Sequence, residues 1–269
     1  MAGGSTTAER GARRTPKGAS GPRPGGPPSP PRGRFRLPGR RVLLTALAVT
    51  AVAAGVLWVL YGSSWARVER VRATGTDVLT SRQVTGAAGV RLGEPLVSVD
   101  TDAIEARLRG RLPRIESVEV SRSWPDGIVL EVSERRPVLL LRKGMRFVEV
   151  DRHGVRFATV GKAPRGVPML ELTVDRSPSL RRFPVSRLIE EAVRVTGELP
   201  AKAAADTRTL VVRSYDDISL ELTGGRTVLW GGPEDGGVKA RALTALMKAA
   251  PGARHYDVSA PIAPAASGS

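Results

Sequence analysis

Few side chains in this sequence are suited to acid–base or metal chemistry. The 269-residue chain has no cysteine and two histidines, His153 and His255. That removes thiol nucleophiles, disulfide frameworks, zinc fingers and any all-His/Cys metal site. His153 follows Asp151-Arg152 and precedes Gly154. A histidine beside a carboxylate is a conceivable general base, but a polar hairpin tip has the same composition. His255 and Asp257 are two apart and share one side of a strand, which suits a structural contact or a binding edge. Asp100 and Asp102 read as capping residues before they read as a carboxylate pair. The run Gly231-Gly232-Pro233-Glu234-Asp235-Gly236-Gly237 carries two acids and lacks the Gly-Lys-Ser/Thr ending of a phosphate loop. It reads as a turn into a final helix, with Lys239 exposed. The expectation is no catalytic, cofactor or metal site and no small-molecule substrate.

The charge balance needs its positions. There are 42 Lys+Arg against 26 Asp+Glu, a formal net charge of +16. Arginine outnumbers lysine 36 to 6 and asparagine is absent, a bias that a G+C-rich genome produces by itself. Residues 1–41 hold ten of the basic side chains and a single acid, Glu9. The remainder is mixed in charge and only 4% of the chain is aromatic, so no stacking platform for nucleic acid is visible. The tail is Gly-, Pro-, Ser- and Arg-rich, and it is expected to be disordered over 1–41.

Val42 to Tyr61 is twenty residues without a charge. A helix of that length spans roughly 30 Å, the thickness of a bilayer hydrocarbon core. Its five valines and five leucines contribute roughly −3 to −6 kcal/mol to insertion. Trp58 and Tyr61 sit at the far end, where aromatic belts lie, and Arg40-Arg41 at the near end. The expectation is an uncleaved single-pass anchor over 42–62, N-terminus in the cytoplasm and the rest outside. Ala51-Val52-Ala53-Ala54 resembles a cleavage site and Gly39-Arg40-Arg41 a twin-arginine leader, but the apolar run continues past the first to Tyr61.

Two folded segments are expected beyond the anchor. From 66 to 137 the pattern is strand, helix, helix, strand, strand. Val68 to Ala73 is β-like, and Ser81 to Ala88 is a short helix ended by Gly89. A second helix has Asp102 as cap, Glu105 three residues on and a stripe of Ile104, Leu108 and Leu112, ending at Pro113. Val118 and Val120 alternate with polar residues, Trp124-Pro125-Asp126-Gly127 is a turn, and Ile128, Leu130 and Val132 alternate again, which makes a hairpin. From 138 to 260 the pattern is β-rich with two helices. Leu188, Ile189, Ala192 and Val193 recur at helical spacing, as do Leu243, Leu246, Met247 and Ala250. Short strands fall near 210–213, 218–222 and 227–230, and the last is expected over 253–259. Pro261 and Pro264 are expected to stop pairing, leaving 261–269 as a frayed tail.

The run Leu112-Pro113-Arg114-Ile115, Val118 to Pro125 and Ile128 to Pro137, with its R-x-W-P and V-x-E-R-x-P strings, resembles the POTRA module of the bacterial FtsQ/DivIB cell-division family. Val71 to Gly75 and Gly93-Glu94-Pro95-Leu96 extend the likeness. Phe147 to Val155 resembles that family's Asp-x-x-Gly hairpin, and Val167-Pro168-Met169-Leu170 its following strand. The resemblance implies an α+β architecture: one transmembrane helix, a POTRA domain of β-α-α-β-β order, and a β-rich domain with two helices. It implies a non-catalytic scaffold of the divisome at the division septum, docking FtsB- and FtsL-like partners outside the cytoplasmic membrane and helping to couple septum assembly to the septal peptidoglycan synthase complex. Partner-binding positions carried over are His255, Tyr256, Asp257, Val258 and Ala260 at the C-terminal sheet edge, and Val118, Val120 and Arg122 on the POTRA hairpin. Tyr256 and Val258 would serve equally well to close the core of their own sheet, and the valines suit a hidden face. Trp124, Pro125, Glu134, Arg135 and Pro137 are signature positions expected to hold the hairpin and the inter-domain joint. The competing reading is an exported cell-wall enzyme or binding protein on a cleaved leader.

Overall fold

A computed structural model describes residues 39–173 and 183–268, so the expected disordered tail lies almost wholly outside the described residues. Helix α1 (Arg40–Leu57) runs into a π-helical turn, Trp58–Gly62. Together they form a 23-residue span of mean hydropathy 2.4 that buries no side chain. It is the one described helix long and apolar enough to cross a membrane. Its length is about 35 Å at the helical rise per residue, and beyond Arg40-Arg41 it carries no charge on any side, as contact with lipid requires.

The next module contains β1 (Arg70–Thr74), α2 (Ser81–Ala88), α3 (Thr101–Arg111), β2 (Ile115–Ser123) and β3 (Gly127–Glu134). Its sheet has the order β1-β3-β2, with β1 parallel and β2 antiparallel to β3. The parallel pair requires a crossover, which α2 and α3 supply. Thr80 and Gln83 form a reciprocal capping box on α2, and Gly89 ends it in the left-handed region. Helix α3 is capped by Asp100, whose carboxylate accepts the Ala103 N–H at 3.0 Å, and not by Asp102. Asp102 sits inside the first turn, and Glu105 accepts the Val120 N–H at 3.0 Å instead of closing a capping box. The cap needs extended backbone just before the helix, and of two aspartates two residues apart Asp100 is the one that has it. Val84, Ala88, Ile104, Leu108, Ile128 and Leu130 lie at the centre of this module's core.

The second sheet has nine strands. They are β4 (Leu139–Lys143), β5 (Arg146–Val150), β6 (Arg156–Val160), β7 (Met169–Leu172), β8 (Thr207–Ser214), β9 (Asp217–Leu222), β10 (Thr227–Gly231), β11 (His255–Asp257) and β12 (Ala265–Ser267). The order across the sheet is β12-β11-β10-β9-β8-β7-β4-β5-β6. Helices α4 (Val185–Glu198) and α6 (Gly236–Ala249) bury Leu188, Ile189, Ala192, Leu243 and Met247 in one core with Leu210, Leu220, Trp230 and Tyr256. A third helix, α5 (Ala201–Asp206), leads straight into β8. Lys239 is buried, contrary to expectation, because the loop before α6 folds over it. Its Nζ donates to the Gly232 carbonyl at 2.8 Å, and burial pushes the ammonium below its ordinary pKa.

Gly75, just after β1, combines a φ of +75° with the Val132 carbonyl lying where a Cβ would stand. Gly75→Ala is therefore expected to cost about 1–3 kcal/mol, read as a lowered thermal midpoint.

Candidate functional site

The C-terminal edge of the nine-stranded sheet is built by a reversal. Strand β11 lies parallel to β10, pairing Thr227 with His255 and Leu229 with Asp257. Helix α6 makes the required crossover. Tyr256 is buried and its hydroxyl donates to the Ala250 carbonyl at the end of α6, 2.8 Å away. The Val258 N–H reaches the Leu229 carbonyl at 3.0 Å. Asp257 then accepts from the Ser259 N–H at 2.9 Å and the Ser259 hydroxyl at 2.7 Å, and the Ala263 N–H closes on the Ala260 carbonyl. The chain turns back as β12, antiparallel to β11, pairing Ala265 with Asp257 and Ser267 with His255.

Residues 265–267 therefore do not fray. Both prolines fall outside the strand: Pro261 is in the reversal and Pro264 just precedes β12. Neither removes a donor from β12, so the usual objection to proline in a sheet does not apply. The exposed backbone edge belongs to β12, one strand beyond the expected one. Tyr256 and Val258 face inward as core side chains, at 1% and 0% exposure. His255, Asp257 and Ala260 remain on the surface. His255 Nδ1 lies 2.8 Å from the Thr227 hydroxyl, so its ring is engaged across the strand pair and not with Asp257.

On the POTRA-like hairpin, Val118 and Val120 are core residues on the hidden side of the three-stranded sheet. Their side chains are therefore not available to a partner: the period-2 pattern marks a buried face and not which of two uses it has. Arg122 is a strap, its guanidinium donating to the carbonyls of Leu96 at 3.0 Å and Val99 at 2.6 Å.

The signature residues divide by location. Trp124 and Pro125 form the hairpin tip, joined by a cis peptide bond, and Trp124 stands half exposed. The Glu134 carboxylate gathers three backbone N–H groups, from Asp77 at 2.8 Å, Val78 at 3.1 Å and Leu79 at 2.9 Å, and fixes the loop between β1 and α2. Arg135 is ion-paired with Asp151, and its Nε donates to the Pro113 carbonyl at 3.2 Å. Pro137 leads into β4.

Asp151 is nearly inaccessible. It accepts the Val155 N–H at 2.8 Å and the His153 N–H at 2.9 Å as well as the Arg135 guanidinium. Its oxygens shape the Asp-x-x-Gly turn and hold the joint; they do not orient the His153 ring. Beside it Arg114 pairs with buried Glu149 and lies over the Phe157 ring, 5.1 Å from the centroid. Arg152 meets Glu116 at 2.6 Å on the outer rim. Arg114 and Glu116 carried no signal for these roles, because their partners are 35 and 36 residues away.

A membrane-anchoring helix followed by a small β-α-α-β-β module and a larger β-rich module defines a class: a single-span membrane protein presenting POTRA-type architecture. The family model described as "POTRA domain, FtsQ-type" matches residues 66–135. The chain is 61% identical to the Streptomyces venezuelae cell division protein FtsQ over 276 residues, covering 100% of both chains. It is 31% identical to the Mycobacteroides abscessus cell division protein FtsQ over 232 residues, 86% of this chain and 71% of that one. A solved extracytoplasmic domain of the cell division protein DivIB from Geobacillus stearothermophilus aligns at 20% identity and a TM-score of 0.31, over 44% of this chain and 94% of that one. The chain belongs to the FtsQ family of bacterial cell-division proteins.

Arg135→Ala would leave the Asp151 carboxylate buried without its cation. Breaking a buried pair in this way is expected to cost about 3–5 kcal/mol, measured by urea denaturation. Arg152→Ala, at the exposed rim, is expected to cost under about 1 kcal/mol in the same assay.

Proposed function

We propose that this protein is a non-catalytic divisome scaffold that captures an extended segment of an FtsB- or FtsL-like partner by adding it as a strand beyond β12. The basic N-terminal segment lies in the cytoplasm, the folded modules lie outside at the septum, and the captured partners pass the assembly signal to the septal peptidoglycan synthase complex. One observation carries the docking site: the nine-stranded sheet ends in a strand whose outer backbone row faces no other strand among the described residues. Unpaired N–H and C=O groups on such an edge gain partners from an incoming strand, and alternate side chains set specificity.

The two edges of the sheet differ in how they are guarded. Strand β6 carries Arg156, and its pairing with β5 is broken by a register shift. Charge and irregularity are the usual means of discouraging strand addition. Strand β12 is Ala-Ala-Ser, with neither charge nor proline inside it. Exposed His255 and Asp257 lie one strand further in, on the face they share with Ser267 and Ala265, which would be the direct neighbours of the incoming side chains.

Successive residues of an edge strand turn their N–H groups alternately inward and outward. Of Ala265→Pro and Ala266→Pro, one removes a bond to β11 and lowers the thermal midpoint, and the other removes only an outward donor. The variant with an unchanged melting curve is expected to lose recovery of small single-span division proteins in a pull-down from solubilised membranes. Full recovery with that variant would end the strand-addition reading.

A further inference from the structure

We propose that the pole of the POTRA module formed by Trp65, Leu92 and Trp124 docks on the phospholipid surface beside the anchor and so fixes the module's orientation to the membrane. The inference rests on reading Arg40–Gly62 as a membrane anchor.

Trp65, Leu92 and Trp124 are 64%, 67% and 51% exposed. Scattered apolar residues on a surface need no explanation, but these three converge on one stretch of backbone. Trp65 directly precedes it. The Gly93 N–H, next to Leu92, donates to the Val68 carbonyl at 2.8 Å, and the Val68 N–H donates to the Glu94 carbonyl at 2.9 Å. The Asp126 carbonyl, two residues past Trp124, accepts the Glu69 N–H at 2.8 Å and the Arg70 N–H at 3.2 Å. All three side chains are thus carried by loops tied to residues 65–70.

The covalent chain identifies the occupant. Trp65 is three residues beyond Gly62, the last residue of the apolar span. A fully extended chain puts it at most about 11 Å away, and Val68 at most about 22 Å. The headgroup layer on each side of the hydrocarbon is itself about 5–8 Å thick. The turn Leu96–Ser98 packs against Trp58–Gly62, which shortens the reach further. A surface tethered so closely to the membrane meets lipid before it meets another protein. Its chemistry suits an interface: two indoles, each an apolar body with a polar N–H, and an aliphatic side chain. Arg67 and Arg91 flank them, and Arg70 is engaged by Asp126 at 2.5 Å; Glu69 and Glu94 lie in the same segments and keep the patch from being strongly cationic. Arg67 donates to the Gly93 carbonyl at 2.7 Å, so apolar insertion is the main attraction, with exposed Arg91 adding headgroup contacts.

The absence of cysteine makes the test site-specific. Thr50→Cys, Leu92→Cys and Met145→Cys, made singly in the full chain, are nitroxide-labelled in vesicles of phosphatidylethanolamine and phosphatidylglycerol. Met145, at the tip between β4 and β5, is 95% exposed and serves as the water reference. Collision with oxygen against a water-soluble nickel complex is compared by electron paramagnetic resonance. The oxygen-to-nickel ratio at Leu92 is expected to be several-fold above that at Met145, and to fall toward it when Trp65→Ser and Trp124→Ser are added. A ratio at Leu92 equal to that at Met145, with Thr50 still lipid-like, overturns the inference and leaves the anchor reading intact. Shielding of Leu92 from both reagents would mean a second protein copy covers it, and also overturns the inference. A water-like Thr50 overturns the anchor reading, and this inference with it.

Discussion

Two carboxylates at the end of β5 set the relation between the two extramembrane modules. Glu149 and Asp151 are almost fully inaccessible. A buried carboxylate without a partner is so unfavourable that it would take up a proton or draw in water. Arg114 and Arg135 answer that requirement from the other module, and both come from the short stretch where β2 begins and β3 ends. The guanidinium groups also reach a backbone carbonyl and an aromatic face, so each ion pair is embedded in further contacts. Pairs of this kind add little net stability over an apolar interface, but an arrangement that separates the partners leaves an uncompensated buried charge and is disfavoured. The joint thus specifies how the hairpin meets the larger sheet.

The two surfaces proposed above lie at opposite ends of the extramembrane sequence. The hairpin tip and the loops tied to residues 65–70 belong to the start of the extramembrane chain. The β12 edge belongs to its end. Between them every strand of the larger sheet is paired on both sides, apart from the two edges. A strand added at β12 would extend a sheet whose other members are held by α4 and α6. Such an interaction gains backbone hydrogen bonds without disturbing the core, because the inward side chains of Tyr256 in β11 and Val258 just after it are already packed.

The elements most legible in the sequence were those with long, uniform patterns. The uncharged run from Val42 to Tyr61, the alternation around Val118–Val132 and the helical stripes of α4 and α6 each repeat a period often enough to fix the element. Signature residues were legible as positions but not as roles. Nothing in the string Glu134-Arg135 distinguishes a carboxylate that collects three loop amides from a guanidinium that crosses to another module. Strand β12 was illegible because three small residues carry no alternation, and because prolines near a strand look the same as prolines within it. The burial of Lys239 was missed for a related reason: its cover comes from a loop, and loops bear no periodicity.

The sequence by itself determined the membrane span, the order of elements in the first module and the faces that must be hidden, since all of these follow from hydrophobic period and local turn chemistry. Tertiary structure alone decided which strand forms the exposed edge, which arginine meets which carboxylate and which valines are core instead of surface. Those outcomes depend on contacts between residues tens of positions apart, and a linear pattern states what must be buried without stating against what.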